Sequence, residues 1–113
     1  MSSKLIDWND FKAVEMRVGT ILAVEDFKEA IKPAYIVKID FGEYGIKKSS
    51  AQITKLYSKE ELIGKQIVAV VNFPPKQIAT LMSECLILGV VDDENEVTLL
   101  HPSNKTKNGL RIL

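Results

Sequence analysis

From Val14 to Val24 the even positions read Val14, Met16, Val18, Thr20, Leu22 and Val24, while Glu15, Arg17 and Glu25 fall on odd ones. A period of two marks a strand with one face in a core and the other in water. The segment therefore predicts a long first strand with its even face buried, and Gly19 in its middle predicts a bend or bulge. After Pro33 the alternation returns at Tyr35, Val37, Ile39 and Phe41, with Lys38 and Asp40 between them, which predicts a second strand. Gly42-Glu43-Tyr44-Gly45 is turn chemistry, and Ile46 to Ile53 reads as a third, more polar strand paired to the second. Ser58-Lys59-Glu60-Glu61 has the spacing of a capping box and Gly64 suits the position after a helix, so one short helix is expected there. The Val/Ile/Leu-rich runs Gln66 to Phe73 and Glu84 to Val91 predict a fourth and a fifth strand. Asp92-Asp93-Glu94-Asn95 is a polar turn into a sixth strand, Val97 to Leu100, and Asn108-Gly109 marks a last turn before Leu110, Ile112 and Leu113.

Short strands with one capped helix between the third and the fourth follow the element order of an OB-fold, an all-β, five-stranded Greek-key barrel. An SH3-like barrel or an open sandwich accounts for the strands but not for a helix at that place. The expected architecture is one domain over residues 1–113: the barrel plus terminal extensions of about residues 1–10 and 101–113. OB barrels bind oligonucleotides, oligosaccharides or extended peptide on one face, and the fold alone does not choose among them.

Charge narrows the choice. The 113 residues carry 15 basic and 15 acidic groups, a balance that weighs against coating nucleic acid by bulk charge. The balance is uneven along the chain, with net charges of −2 over residues 1–44, +4 over 45–80, −5 over 81–100 and +3 over 101–113. A polyanion ligand would have to use the basic middle and tail. The opening MSSKLIDWND lacks the apolar segment of an export signal, and no apolar run approaches the ~20 residues of a membrane helix. Cys85 is the only cysteine, so no internal disulfide forms, and a cytoplasmic protein without membrane insertion is expected.

Groups for catalysis are scarce. His101 is the only histidine and precedes a proline at a strand end, which reads as an exposed edge residue. Ser83-Glu84-Cys85 leads into the apolar run Leu86-Ile87-Leu88, where a buried structural thiol is the usual case. Asp92, Asp93, Glu94 and Glu96 form a solvated acidic turn without calcium-loop spacing, and no glycine motif for nucleotides is present. No catalytic residue, metal site or cofactor is expected, and the protein is read as a non-enzyme.

Binding residues are easier to nominate. Lys47, Lys48, Ser50 and Gln52 give the third strand a hydrogen-bonding, cationic stretch, either a solvated edge or the ligand face that OB strands two and three provide. Arg17 can join that surface or pair with Glu15 or Asp40. In Asn72-Phe73-Pro74-Pro75-Lys76-Gln77 two prolines stiffen the chain as it leaves a strand, setting an aromatic ring beside a cation. Taken alone, the segment reads more simply as a strand end with Phe73 in the core.

These residues also resemble a family. Asp10-Phe11 followed by Val14-Glu15-Met16-Arg17-Val18-Gly19-Thr20-Ile21 is similar to the opening of the tRNA-binding domain found beside methionyl- and phenylalanyl-tRNA synthetases and in free-standing tRNA-binding proteins. Asn72-Phe73-Pro74-Pro75-Lys76 with Met82-Ser83-Glu84-Cys85-Leu86-Ile87-Leu88 is similar to its second half. The wording Ser49-Ser50-Ala51-Gln52-Ile53-Thr54-Lys55-Leu56-Tyr57 looks like the branch of CsaA-type export-related chaperones. The resemblance implies an OB-fold homodimer that binds unfolded precursor polypeptides, with the secretion ATPase SecA and tRNA as further candidate partners. The ligand residues nominated are Arg17, Lys47, Lys48, Ser50, Gln52, Asn72, Phe73, Pro75, Lys76, Met82, Ser83 and Glu84. Cys85 stands where the tRNA binders carry glycine, and Ala51-Gln52 where they often carry Gly-Leu. Leu5, Ile6, Trp8, Phe11, Leu110, Ile112 and Leu113 put apolar groups at chain ends that usually fray, and they are nominated as the dimer interface.

Overall fold

Tyr35, Val37, Ile39 and Phe41 are all buried in the computed structural model of the chain, which describes residues 4–113. Residues 1–3 of the expected N-terminal extension lie outside the described residues. The strands, in chain order, are β1 (Met16–Asp26), β2 (Tyr35–Asp40), β3 (Ile46–Ala51), β4 (Gln66–Val70), β5 (Lys76–Ile78), β6 (Leu81–Ser83), β7 (Leu86–Ile87), β8 (Gly89–Val91) and β9 (Val97–Leu99). Helix α1 is Trp8–Ala13 and helix α2 is Lys59–Leu62. The main sheet has the order β3-β2-β1-β4-β7 with every pairing antiparallel. β5 and β6 form one separate hairpin, β8 and β9 another.

The sheet curls until β3 meets the segment before β7. The Ser49 hydroxyl donates to the Cys85 carbonyl at 2.8 Å, the Glu84 N–H donates to the Lys48 carbonyl at 2.8 Å, and the Lys48 N–H donates to Glu84 Oε1 at 3.0 Å. One backbone bond and two side chains thus complete a seam that the strand ladders leave open, and the product is the nearly closed five-stranded OB barrel. Its core holds Ile21, Val37, Ile39, Phe41, Ile53, Leu62 and Ile67, while Phe27, Ala34 and Leu81 form a smaller cluster under the β5–β6 hairpin.

Helix α2 lies between β3 and β4 as expected, with the Ser58 hydroxyl accepting from the Glu61 N–H and the Glu61 carboxylate from the Ser58 N–H. Several expectations need correction. The face of β1 that meets the main core is odd-numbered at first, although Val18 is also buried: Ile21 is in the core, and a Cβ on Gly19 would lie 2.6 Å from Ile39 Cγ2 and 2.8 Å from the Phe41 ring. Glycine is at 19 because the core approaches the backbone there. The bulge sits further on, between Ile21 and Ala23, and leaves Leu22 exposed. An inserted residue flips the parity, so Val24 again packs on the core.

Helix α1 is a second helix where only an extension was expected. It is capped by two aspartates, Asp7 accepting from the Asp10 N–H at 2.8 Å and Asp10 from the Asp7 N–H at 3.0 Å. The third strand ends at Ala51 rather than Ile53. The fourth ends at Val70 rather than Phe73, because Val71 and Asn72 turn to bond the chain before β1. The predicted fifth strand divides into β7 and β8, the second of which leaves the sheet to pair with β9.

The C-terminal tail takes the edge of β1 that β2 leaves free. Val18 donates to the Leu110 carbonyl at 3.0 Å, Gly109 to the Val18 carbonyl at 2.7 Å and Ile112 to the Met16 carbonyl at 2.9 Å. Gly109 has φ 93°, and a Cβ there would lie 2.6 Å from the Phe41 carbonyl oxygen, so this joint requires glycine. No helix among the described residues is long and apolar enough to cross a membrane.

Candidate functional site

Period two on β3 sorts its residues: Ser49 and Ala51 are buried, while Lys48 and Gln52 are exposed and Ser50 is half-buried between them. Above this outer face stands the β5–β6 hairpin, anchored by Ile78 and Leu81 on the small cluster with Phe27 and Ala34. Ser50 lies where three clefts meet. One of about 320 Å³ is walled by Phe73, Pro74, Lys76, Ile78, Ser83, Cys85 and Leu86. A second of about 440 Å³ runs under Ala30, Ile31, Lys32 and Ala79, reaching Gln52. A third of about 360 Å³ follows Ala51, Gln52 and Ile53 along Leu86–Gly89 to Val91 and Val97. From Gln52 the surface continues into a hollow of about 530 Å³ with Lys32 and Lys55 at its rim.

Together these make one trough with aliphatic and aromatic walls. Lys76, Lys32 and Lys55 are its charged lining residues, and no carboxylate lines any of the four clefts. Phe73 is 54% exposed, which overturns its reading as a core residue. Ile31, on the loop before β2, is fully exposed.

Of the nominated ligand residues, Ser50, Gln52, Phe73, Lys76 and Ser83 come together here. Pro74 lines the cleft where Pro75 was nominated, and Met82 is exposed but lines none of the four clefts. Lys47 sits half-buried, set by the alternation of β3 on the face opposite Lys48. Glu84 spends its carboxylate on the Lys48 N–H in the barrel seam. Arg17 lines none of the clefts: Nε donates to Glu15 at 2.9 Å, Nη1 to the Gly109 carbonyl at 2.7 Å, and its Cζ stands 3.7 Å from the Tyr44 ring centroid. Asn72 accepts from the Glu15 N–H at 3.0 Å and donates to the Ala13 carbonyl at 2.8 Å. Arg17 and Asn72 therefore fasten the tail and α1 to the barrel. Sequence reasoning missed Ile31, Pro74, Ile78 and Leu86; the only available signal was an apolar Ala30-Ile31 pair inside a charged loop.

Cys85 offers no nucleophile at neutral pH. Burial pushes its thiol up to about 11, outweighing the opposing pull of the Lys47 charge and the Ser49 hydroxyl. No cluster of His, Cys, Asp or Glu among the described residues could hold a metal ion.

The nominated interface residues gather at a second surface. Arg111 Nη2 donates to the Lys12 carbonyl at 2.6 Å, tying the tail to α1. Leu5, Ile6, Trp8, Leu110 and Leu113 are exposed, Leu5 by 91%, while Phe11 and Ile112 are half-buried. The Trp8 and Phe11 rings pack at a tilt of 33° with centroids 5.4 Å apart.

Comparison with known proteins bears on both surfaces. The family described as "Putative tRNA binding domain" matches residues 16–111. Chaperone CsaA from Bacillus anthracis is 51% identical with a TM-score of 0.93, covering 97% of this chain and all of the other. A CsaA chaperone protein from Picrophilus torridus is 55% identical with a TM-score of 0.90, covering 96% of this chain and all of the other. The methionine–tRNA ligase of Nanoarchaeum equitans is 38% identical over 108 residues, which is 96% of this chain but 14% of the ligase.

Proposed function

Because the chain belongs to the tRNA-binding-domain family, we propose that it is a non-enzymatic, ATP-independent chaperone, a homodimer holding unfolded precursor polypeptides in the trough beside β3. The observation that carries this reading is the lining of that trough: apolar walls, lysines at the rim and no carboxylate. Such a surface takes an extended segment with apolar and acidic side chains. Strand addition at β3 is closed, since Lys48 and Ser50 already donate to Glu84 and to Ser83 Oγ. Clients are held through side-chain contact and leave by mass action. The likeness to two CsaA chaperones over nearly the whole chain supports the same reading.

The apolar ends on α1 and the tail are the proposed dimer interface, since so large an exposed group of apolar side chains is costly to leave in water. Assistance to export in the cytoplasm and contact with SecA belong to the same proposal. The test is aggregation of a chemically denatured client diluted into buffer with the purified protein. Suppression at near-stoichiometric ratio is expected. Unchanged light scattering, together with no binding of acidic-apolar peptides, overturns the proposal.

A second reading, structure-specific tRNA binding on the same face together with the basic tail, is favoured by the family match over residues 16–111 and by the basic stretches 45–80 and 101–113. Titrations at two salt concentrations separate the two. Binding through several phosphates weakens by orders of magnitude between ~50 and ~200 mM salt, whereas apolar peptide binding stays nearly level.

A further inference from the structure

A cleft of about 530 Å³ lies apart from the trough, between the loop before α2, the start of β4 and the chain after β9. It shares no lining residue with the four clefts beside β3. Its volume falls within the ~300–1,000 Å³ of small-ligand sites and exceeds what a lone ion requires. Lys65, Lys105 and His101 line it, and no carboxylate does. Among the described residues neither lysine makes an ion pair or a side-chain hydrogen bond, so two positive charges line one cleft with no carboxylate on its wall. Lys65 Nζ lies 5.5 Å from the centroid of the Tyr57 ring, which restricts the ammonium before any ligand arrives.

The rest of the lining is of a different character. Ile67, Leu99 and the rings of Tyr57, His101 and Pro102 form apolar and flat walls. Tyr57 is fixed by its hydroxyl, which accepts from the Leu99 N–H at 3.0 Å. Gln66 pins the opposite wall: its Nε2 donates to the Thr106 carbonyl at 2.6 Å, and its Oε1 accepts from the Thr106 N–H at 3.0 Å. His101 Nδ1 sits 2.9 Å from the Pro102 carbonyl oxygen, holding the ring at the rim. The cleft is thus preformed, cationic at Lys65 and Lys105, and lined by flat rings elsewhere.

We propose that this cleft is a second binding site, for a small anionic ligand that carries a planar ring, with a free mononucleotide as the representative chemistry. The phosphate lies between Lys65 and Lys105, and the planar ring packs against His101 and Pro102. The site does not depend on the chaperone reading, because no residue of the trough takes part in it.

Titration of the full chain with adenosine 5′-monophosphate, followed through backbone amide NMR signals, tests the site. Expected are shifts at Gly64, Ile67, Thr98, Leu99 and His101, with the signals of Ser50, Lys76 and Ser83 unmoved. The double variant Lys65→Ala/Lys105→Ala, both side chains being exposed, is expected to fold and to bind at least ~10-fold more weakly, the loss of about 1.4 kcal/mol that removing charge-assisted bonds brings. Lys65→Gln/Lys105→Gln provides the same readout should the alanine variant fail to fold. Inorganic phosphate matching the mononucleotide in affinity overturns the assignment of the planar ring. Binding of a short single-stranded RNA without any response to the mononucleotide overturns the proposal, as does unchanged affinity in both double variants.

Discussion

Ser49→Ala probes the seam that closes the barrel. Ser49 is 1% exposed, and its hydroxyl donates to the Cys85 carbonyl at 2.8 Å across the gap between β3 and the segment before β7. Alanine removes the donor and leaves the carbonyl in a dry place. The alternative donor, Ser83 Oγ, stands at 3.5 Å, the outer limit of a hydrogen bond, and recovers little. Losing a buried bond and leaving its acceptor unsatisfied costs about 1–2 kcal/mol. For a chain of this length that is a fall in Tm of roughly 4–8 °C. Thermal and urea unfolding at fixed protomer concentration measure it, since any self-association makes the midpoint depend on concentration. The urea midpoint should drop with m unchanged. Ser83→Ala is the control: its bond to the Ser50 N–H is 3.3 Å long and half-exposed, so about 0.5 kcal/mol or less is expected. Equal losses in the two variants, or no loss in Ser49→Ala, would refute the assignment of the seam to Ser49.

Phe73→Ala should weaken binding of an acidic-apolar peptide by about 5–10-fold in Kd, because the half of the ring now exposed represents about 1–1.5 kcal/mol of apolar burial to be gained from a client; fluorescence anisotropy measures it. Ala79→Gly at the tip of the β5–β6 hairpin should stabilise by about 0.5 kcal/mol, since Ala79 has φ 49°, where glycine relieves more strain than it adds in unfolded-state entropy; a lower urea midpoint contradicts this. Native Cys85 should react with iodoacetamide at pH 8 far more slowly than the denatured chain, its thiol being raised from 9.0 to about 11. The folded state holds that proton more tightly, so the stability linked to Cys85 is fully present below about pH 9 and is lost as pH rises through about 11, and Cys85→Ala should flatten that decline in an alkaline unfolding series.

Legibility along the chain followed local physics. β2 could be read because Tyr35, Val37, Ile39 and Phe41 share one uninterrupted face, and α2 because its capping box is made by residues three apart. The even-face reading of β1 fails at Gly19 and Ile21 and holds again at Val24, because the bulge between them depends on pairing with β2 and leaves no mark on the alternation itself. α1 has no legible signature in the sequence, because none of its residues is buried and its box uses two aspartates. The β5–β6 hairpin turns at Ala79, a residue that carries no turn signal, and its footing is a small cluster assembled from Phe27, Ala34 and Leu81, distant in sequence. For the site, residue type gave Lys76, Ser50 and Gln52, whereas Phe73 by residue type reads as core and stands 54% exposed because the chain turns away after Val70. Arg17 and Asn72 have the chemistry of ligand residues too, yet partners 92 and 59 positions away claim them, and a sequence carries no record of such long-range hydrogen bonds.

Arg17 and Asn72 also bear on how the two surfaces relate. Each holds a chain end against the barrel: Arg17 the tail through the Gly109 carbonyl, Asn72 helix α1 through the Ala13 carbonyl. The exposed Leu5, Ile6 and Trp8 lie at and before α1 and Leu113 on the tail, and none of them lines the trough beside β3. A second copy seated on the ends covers residues that line none of the four clefts. This separation makes the assembly testable independently of binding. Trp8→Asp with Leu113→Asp should shift sedimentation toward the monomer, because buried like charges facing each other across a two-fold interface are strongly disfavoured. A single trough should keep its affinity for a short peptide in that monomer, while capture of a long client, which can engage two troughs at once, should weaken by ~100-fold or more as the effective concentration of the second trough is lost. A short peptide that no longer binds the monomer would show instead that the trough needs both copies.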